Sequence, residues 1–104
     1  MVVIYTGMVD LSRVVGFQWD GGNDRKSEDK HAVARTEAEQ IFFNSPLRLA
    51  ADEQHSQREE RFHALGRTDG GRILHVTFTL RAEQRLIRII SARDANRTER
   101  GRYG

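Results

Sequence analysis

Cysteine is absent from the 104 residues. That gap removes disulfides and thiolate metal sites, and nothing else in the chain points to secretion. Proline occurs once, at Pro46. In "NSP" it ends a preceding helix, because it cannot continue one and biases its predecessor away from helical dihedrals. No apolar run approaches the ~20 residues needed to span a bilayer. "MVVIYTGMVDLSRVVGF" has no basic region ahead of its apolar stretch and so does not read as a signal peptide. The expectation is a soluble cytoplasmic protein with no membrane partner. No phosphate-binding glycine loop is present, since the Gly pairs at 21–22 and 70–71 read as turns. No Ser-His-Asp spacing stands out. His31, His55, His63 and His75 are scattered, and none pairs at i,i+3 or i,i+4, which argues against a helical metal site. No cofactor is expected.

What is present is arginine, unevenly placed. Residues 1–80 carry ten Lys or Arg against twelve acids, whereas residues 81–104 carry seven Arg against three acids. Arginine keeps its charge and presents a planar fork suited to phosphate or carboxylate. The asymmetry points to an anionic partner, nucleic acid or an acidic protein surface. The length suits one domain, residues 15–104, preceded by an apolar stretch at 1–14 that reads as an arm or an extra edge strand.

The patterning gives an α+β fold. "VGFQWD" alternates as a short strand with Phe17 and Trp19 on one face. The polar "GGNDRKSEDKH" suggests a short helix almost without an apolar side. "RTEAEQIFF" reads as a helix capped by Thr36 and Glu39, with Ala38, Ile41 and Phe42 buried. "LRLAAD" is a weak strand and "ERFHALG" a better one, with Phe62 and Ala64 opposite in facing to His63 and Leu65. "RILHVTFTL" is the strongest strand, lining Leu74, Val76, Phe78 and Leu80 on one side. "RLIRIISA" is apolar on both faces and is expected to be central. A helix at roughly 94–102, capped by Ser91 or Asp94, ends the chain. The expected architecture is two N-terminal helices and a short C-terminal helix on one face of a small twisted antiparallel sheet.

Several residues suggest chemistry, each beside a structural alternative. Lys30 and His31 either complement the negative end of a helix or supply a phosphate contact and an acid or base. His55, Glu59, Glu60 and Arg61 form either a surface loop with weak ion pairs or a base beside a phosphate-binding arginine. Arg72, His75 and Arg88 lie on neighbouring strands. Arg88 interrupts the apolar "LIRII", so its guanidinium must reach the surface, find a carboxylate or face an anion-binding groove. Arg93, Arg97 and Arg100, with Arg102 beyond, form a stripe if the helix begins early enough.

Taken together, certain strings resemble the BrnT family of bacterial toxins. They are "GFQWD" followed by Lys30-His31, "TEAEQIF", "HSQREERFHALG", "GGRILHV" and, most specifically, "RIISARDANRTERGRY". The resemblance spans residues 16–103. It implies a RelE/ParE-like fold and a small ribonuclease that blocks translation without a metal. It also implies neutralisation by a BrnA-like ribbon-helix-helix antitoxin, through which alone the pair would reach operator DNA. RelE-like enzymes rely on Arg, Lys and Tyr more than on a histidine pair. By resemblance, Arg61, Arg88 and Arg93 become phosphate and transition-state contacts. Lys30, His31 and His55 become acid or base candidates, and Tyr103 a stacking or acid residue. Arg72, His75, Arg97 and Arg100 are left to RNA or antitoxin binding. The family commonly has Asn and Leu where Ser27 and Glu28 stand, Gly at Ala32 and an aromatic at Arg35. A catalytically inactive, antitoxin-binding co-repressor is the competing reading.

Overall fold

The computed structural model describes residues 10–103, with Lys26 and Ser27 as backbone only, and the backbone of Val3 and Ile4. The elements run β1 (Val3–Ile4), β2 (Gly16–Phe17), α1 (Lys26–His31), α2 (Arg35–Gln40), a 3-10 turn (Ile41–Phe43), β3 (Leu47–Asp52), β4 (Arg61–Arg67), β5 (Ile73–Arg81), β6 (Leu86–Asp94) and α3 (Arg97–Tyr103). The class is α+β. Strands β3 to β6 form an antiparallel meander. The sheet as a whole is mixed, in the order β1-β3-β4-β5-β6-β2, because β1 lies parallel to β3 and β2 parallel to β6. A purely antiparallel sheet was expected. Each short strand is separated from its neighbour by a long connection rather than a hairpin, which is what parallel pairing requires. Apart from the backbone of Val3 and Ile4, residues 1–9 lie outside the described residues, and half of the stretch expected as an arm, residues 1–14, falls there.

The core forms on one face of the meander. Phe62 and Ala64 of β4, Leu74, Val76 and Phe78 of β5, and Ile87 and Ile89 of β6 are all buried. Ala38, Ile41 and Phe42 close over them, as their spacing predicts. Phe17 and Trp19 pack at the margin of this core. Gly66 lies against Ile41, where an added Cβ would meet the Ile41 Cβ at 2.7 Å, so the 3-10 turn can seat directly on β4. β6 is an interior strand as expected, with β5 on one side and the short β2 on the other. Its burial alternates up to a bulge opposite Thr77 and Phe78, where Ile90 has no partner.

The helices differ from expectation in three ways. First, α1 buries none of its described side chains; Val33, just beyond it, enters the core instead. A segment without an apolar stripe has nothing to bury. Asn23 anchors the segment from upstream, donating to the Gln18 and Ile89 carbonyls at 3.0 Å each. Second, α2 begins at Arg35, one residue ahead of Thr36. Its N-cap Ala34 has no side-chain acceptor, and only half of a capping box remains: the Ala34 N–H donates to Glu37 Oε1 at 3.1 Å. Third, α3 does not share the core face. Its Glu99 and Arg102 border a groove on the opposite side of the sheet, lined also by His63 and His75. It starts after Asn96 rather than after Ser91 or Asp94. Asn96 and Glu99 make a complete capping box, with N–H to side-chain distances of 2.8 and 2.9 Å.

Ala32 ends α1 in a left-handed conformation, φ 55°. A side chain at such a C′ position is strained, and glycine relieves it. Ala32→Gly is therefore expected to stabilise the fold by about 1 kcal/mol, the relief of strain outweighing the added freedom of the unfolded chain. A rise in urea midpoint at unchanged slope is the check.

Candidate active site on the outer sheet face

Strand pairing aligns the side chains of the outer face in rows. One row runs Asp52, Arg61, Thr79, Arg88 from β3 to β6. The next runs Ala50, His63, Thr77, Ser91, and the third Arg48, Leu65, His75, Arg93. With strands spaced ~4.8 Å apart, Arg61 and Arg88 stand about 10 Å from each other along their row. The alternation of "ERFHALG" and "RILHVTFTL" dictates this: every apolar residue turned to the core turns a polar neighbour outward.

Asp52 is the hub of one end. Its carboxylate is buried, and its Oδ2 lies 3.1 Å from both His55 Nδ1 and His63 Nε2. The His55 backbone N–H also donates to Oδ1, at 3.2 Å. Burial alone would raise the Asp52 pKa, but the hydrogen bond from His55 and the charge of His63 hold it below the ordinary carboxylate value. An ionised carboxylate only accepts, so each imidazole nitrogen facing it carries a proton. In that tautomer His63 Nδ1 accepts from Thr77 Oγ1, at 3.1 Å. In the matching tautomer of His55, Nε2 is the free ring nitrogen. Its ring lines a groove of about 410 Å³ with Gln54, Gln57, Arg58, Glu59 and Arg61. Ser56 pins this loop: its hydroxyl donates to the Asp52 carbonyl and accepts from the Arg61 N–H at 3.0 Å. Glu59 is held by Arg81, whose Nη2 donates to its Oε1 at 3.0 Å.

At the other end, His75 stacks against His63 with ring centroids 4.8 Å apart. Burial, with Arg93 nearby, lowers its pKa to about 4. Arg93 makes a two-pronged pair with Glu99, at 2.7 and 2.9 Å, which draws the Glu99 pKa down to about 2. His75 Nε2 lies 3.7 Å from the same carboxylate but is neutral at pH 7, so this contact is no ion pair there. A groove of about 560 Å³ opens between these residues and Arg48, Leu65 and Arg102.

His75 makes stability pH-dependent. Between pH 6.5 and about 4 the unfolded chain binds a proton at His75 that the folded chain refuses, so stability falls as pH drops through that window. Glu99 adds a further loss below about pH 4.5 as its ion pair is protonated. The urea midpoint is expected to drop between pH 6.5 and 4.5, and His75→Gln to flatten that slope while leaving the loss below pH 4.

The remaining expected site residues are placed elsewhere or already engaged. Arg88 has found a carboxylate: it pairs with Asp20 at 2.8 and 3.0 Å and with Gln18 Oε1 at 3.1 Å. Arg72 precedes β5 and serves as a brace. It binds Asp94 at 2.6 and 3.0 Å, Glu37 at 3.2 Å and the Ala32 carbonyl at 2.9 Å. It reaches the His31 carbonyl at the end of α1 as well, and neither Lys30 nor His31 lines the groove at His55. Arg93 belongs to β6, so the expected stripe of Arg93, Arg97 and Arg100 on a single helix does not form. Arg97 is exposed, and Arg100 donates to the Ala95 carbonyl at 2.7 Å. The Tyr103 hydroxyl donates to the Pro46 carbonyl at 2.8 Å and the ring is buried, which raises its pKa. Arg35, where an aromatic was the family's habit, stacks over the Trp19 ring at 4.8 Å.

Sequence reasoning passed over Asp52, Arg58 and His63. Asp52 had a local signal, a carboxylate three residues before His55 at a strand end. His63 was already assigned outward by alternation, but its partners are 11 and 14 residues away and only strand pairing brings them together.

The fold and this face define a small α+β protein whose sheet presents arginine and histidine side chains around a buried carboxylate. The family model described as ribonuclease toxin, BrnT, of type II toxin-antitoxin system matches residues 19–99, and the chain belongs to that family. It is thus the toxin of such a pair and a ribonuclease by kind. No curated protein sequence matches it.

Proposed function

We propose that the chain is a metal-independent endoribonuclease that cleaves RNA in the cytoplasm, stops translation and is silenced by a BrnA-like ribbon-helix-helix antitoxin. The observation that carries the reading is the His55 ring, oriented by Asp52, beside Arg58 and Arg61 in one open groove. Cleavage without a metal requires a base for the 2′-hydroxyl, cations for the charged phosphorane and an acid for the leaving 5′-oxygen. His55 Nε2 supplies the base, and Arg61 the cationic contact, with Arg58 at its side. Arg88, in the same row as Arg61, extends the cationic track along the phosphate backbone. Lys30 and His31 serve as outlying phosphate contacts. Arg97 and Arg100, on the exposed side of α3, suit an acidic antitoxin segment. Two short helices ahead of the meander are in keeping with a RelE/ParE-like relationship.

The inactive co-repressor reading draws on one observation: Arg88 and Arg93 already hold Asp20 and Glu99, which lowers their capacity for phosphate. The two separate in an RNA cleavage assay on purified protein with EDTA present, with and without ribosomes. Cleavage in EDTA supports the enzyme. No cleavage under any condition, with antitoxin binding intact, supports the co-repressor.

A further inference from the structure

We infer that Asp52 is the positioning residue of the site, holding His55 as the Nδ1–H tautomer with Nε2 directed to substrate. The inference deepens the ribonuclease reading and rests on His55 being its base. Four observations carry it. Asp52 is buried, so its carboxylate is not an ordinary surface charge. It meets His55 through the ring nitrogen nearer the backbone, 3.2 and 3.1 Å from its two oxygens. The backbone N–H of His55 binds the same carboxylate, so the loop and the ring are fixed by one group. Finally, His63 occupies the remaining side of Asp52 Oδ2 and is itself held by Thr77, so the carboxylate cannot swing away.

An imidazole free in water places most of its neutral form as the other tautomer, with the proton on Nε2, where it cannot act as a base. A carboxylate at Nδ1 reverses that choice and stabilises the imidazolium formed when the 2′-hydroxyl proton is taken. In the step itself the 2′-oxygen bonds to phosphorus, its proton passes to His55 Nε2, and the P–O5′ bond breaks. The 5′-oxygen takes a proton from an acid or from water, leaving a 2′,3′-cyclic phosphate. His63 cannot replace His55, because both of its ring nitrogens are engaged. The charged groups facing His55 are Arg58, Glu59 and Arg61 on its own loop and strand edge, with His63 across Asp52.

The test has two arms. Long-range ¹H–¹⁵N spectra of the wild type at pH 8 should show His55 as the Nδ1–H tautomer, and Asp52→Ala should return it to mainly Nε2–H. Cleavage of a labelled RNA by Asp52→Asn should show kcat reduced about 100-fold, with KM changed less than threefold. His55→Ala and the His55→Ala/Asp52→Asn double variant should be equally slow, because the pair acts as a unit. A wild-type His55 in the Nε2–H form overturns the inference, whether or not the variants fold. So does an Asp52→Asn enzyme within threefold of wild-type kcat. If the wild type cleaves nothing yet His55 is Nδ1–H and Asp52→Ala reverses it, the positioning stands and the ribonuclease reading falls.

Discussion

His55→Ala is expected to slow RNA cleavage by about 10²–10⁴, the range that a positioned general base contributes. The prediction follows from the division of labour at the site. His55 is the imidazole with a free nitrogen in the groove, while His63 spends both of its nitrogens on Asp52 and Thr77. His75 is neutral at physiological pH and lies against the His63 ring. Stability should change little, because the His55 side chain is 63% exposed and its loop remains tied by Ser56. The measurement is a single-turnover rate on a labelled RNA, with a thermal melt beside it to show that the fold survives. A rate within threefold of wild type would remove His55 from the mechanism.

Phe78→Ala is expected to cost about 3–5 kcal/mol, the usual range for removing a fully buried aromatic. Phe78 is wholly buried. It meets Phe42 edge-on at 5.3 Å and Phe62 at 5.5 Å, so it joins the 3-10 turn to the two middle strands. The cavity would open where the 3-10 turn meets the sheet. Against a total stability of about 5–15 kcal/mol for an ordinary domain, such a loss leaves little margin. Urea denaturation followed by circular dichroism gives the value directly. A loss below about 1 kcal/mol would mean that the core is not organised around Phe78.

The meander was legible in the sequence because alternation and turn residues are local signals. "ERFHALG" and "RILHVTFTL" announce which residues face the core, and both face it as expected. The helix starts were less legible. Thr36 with Glu39 matches a capping box in spacing, yet the chain enters the helix at Arg35, where Glu37 can serve the Ala34 N–H. Asn96, boxed with Glu99, supplies the cap that was expected of Ser91 or Asp94. Competing polar residues within one turn of each other cannot be ranked until tertiary packing fixes the entry point. The site was legible only as parts. His55 and Arg61 stood out as residue types, but the charges that neutralise Arg88 and Arg72 come from 68 and 22 residues away. No spacing rule spans such distances. Arg88 alone was framed correctly, as a guanidinium needing an outlet, with a carboxylate among the choices.

The unmatched Ile90 has a consequence for how this face is composed. Arg88 and Arg93 are separated by an odd number of steps, so in an unbroken strand one would point into the core when the other pointed out. The extra residue shifts the count by one, and both guanidiniums emerge on the same side, opposite Thr79 and His75. Parity, not proximity, is what admits both arginines to the outer face. A family member with one residue fewer between these positions would have to bury one of the two charges or give it up.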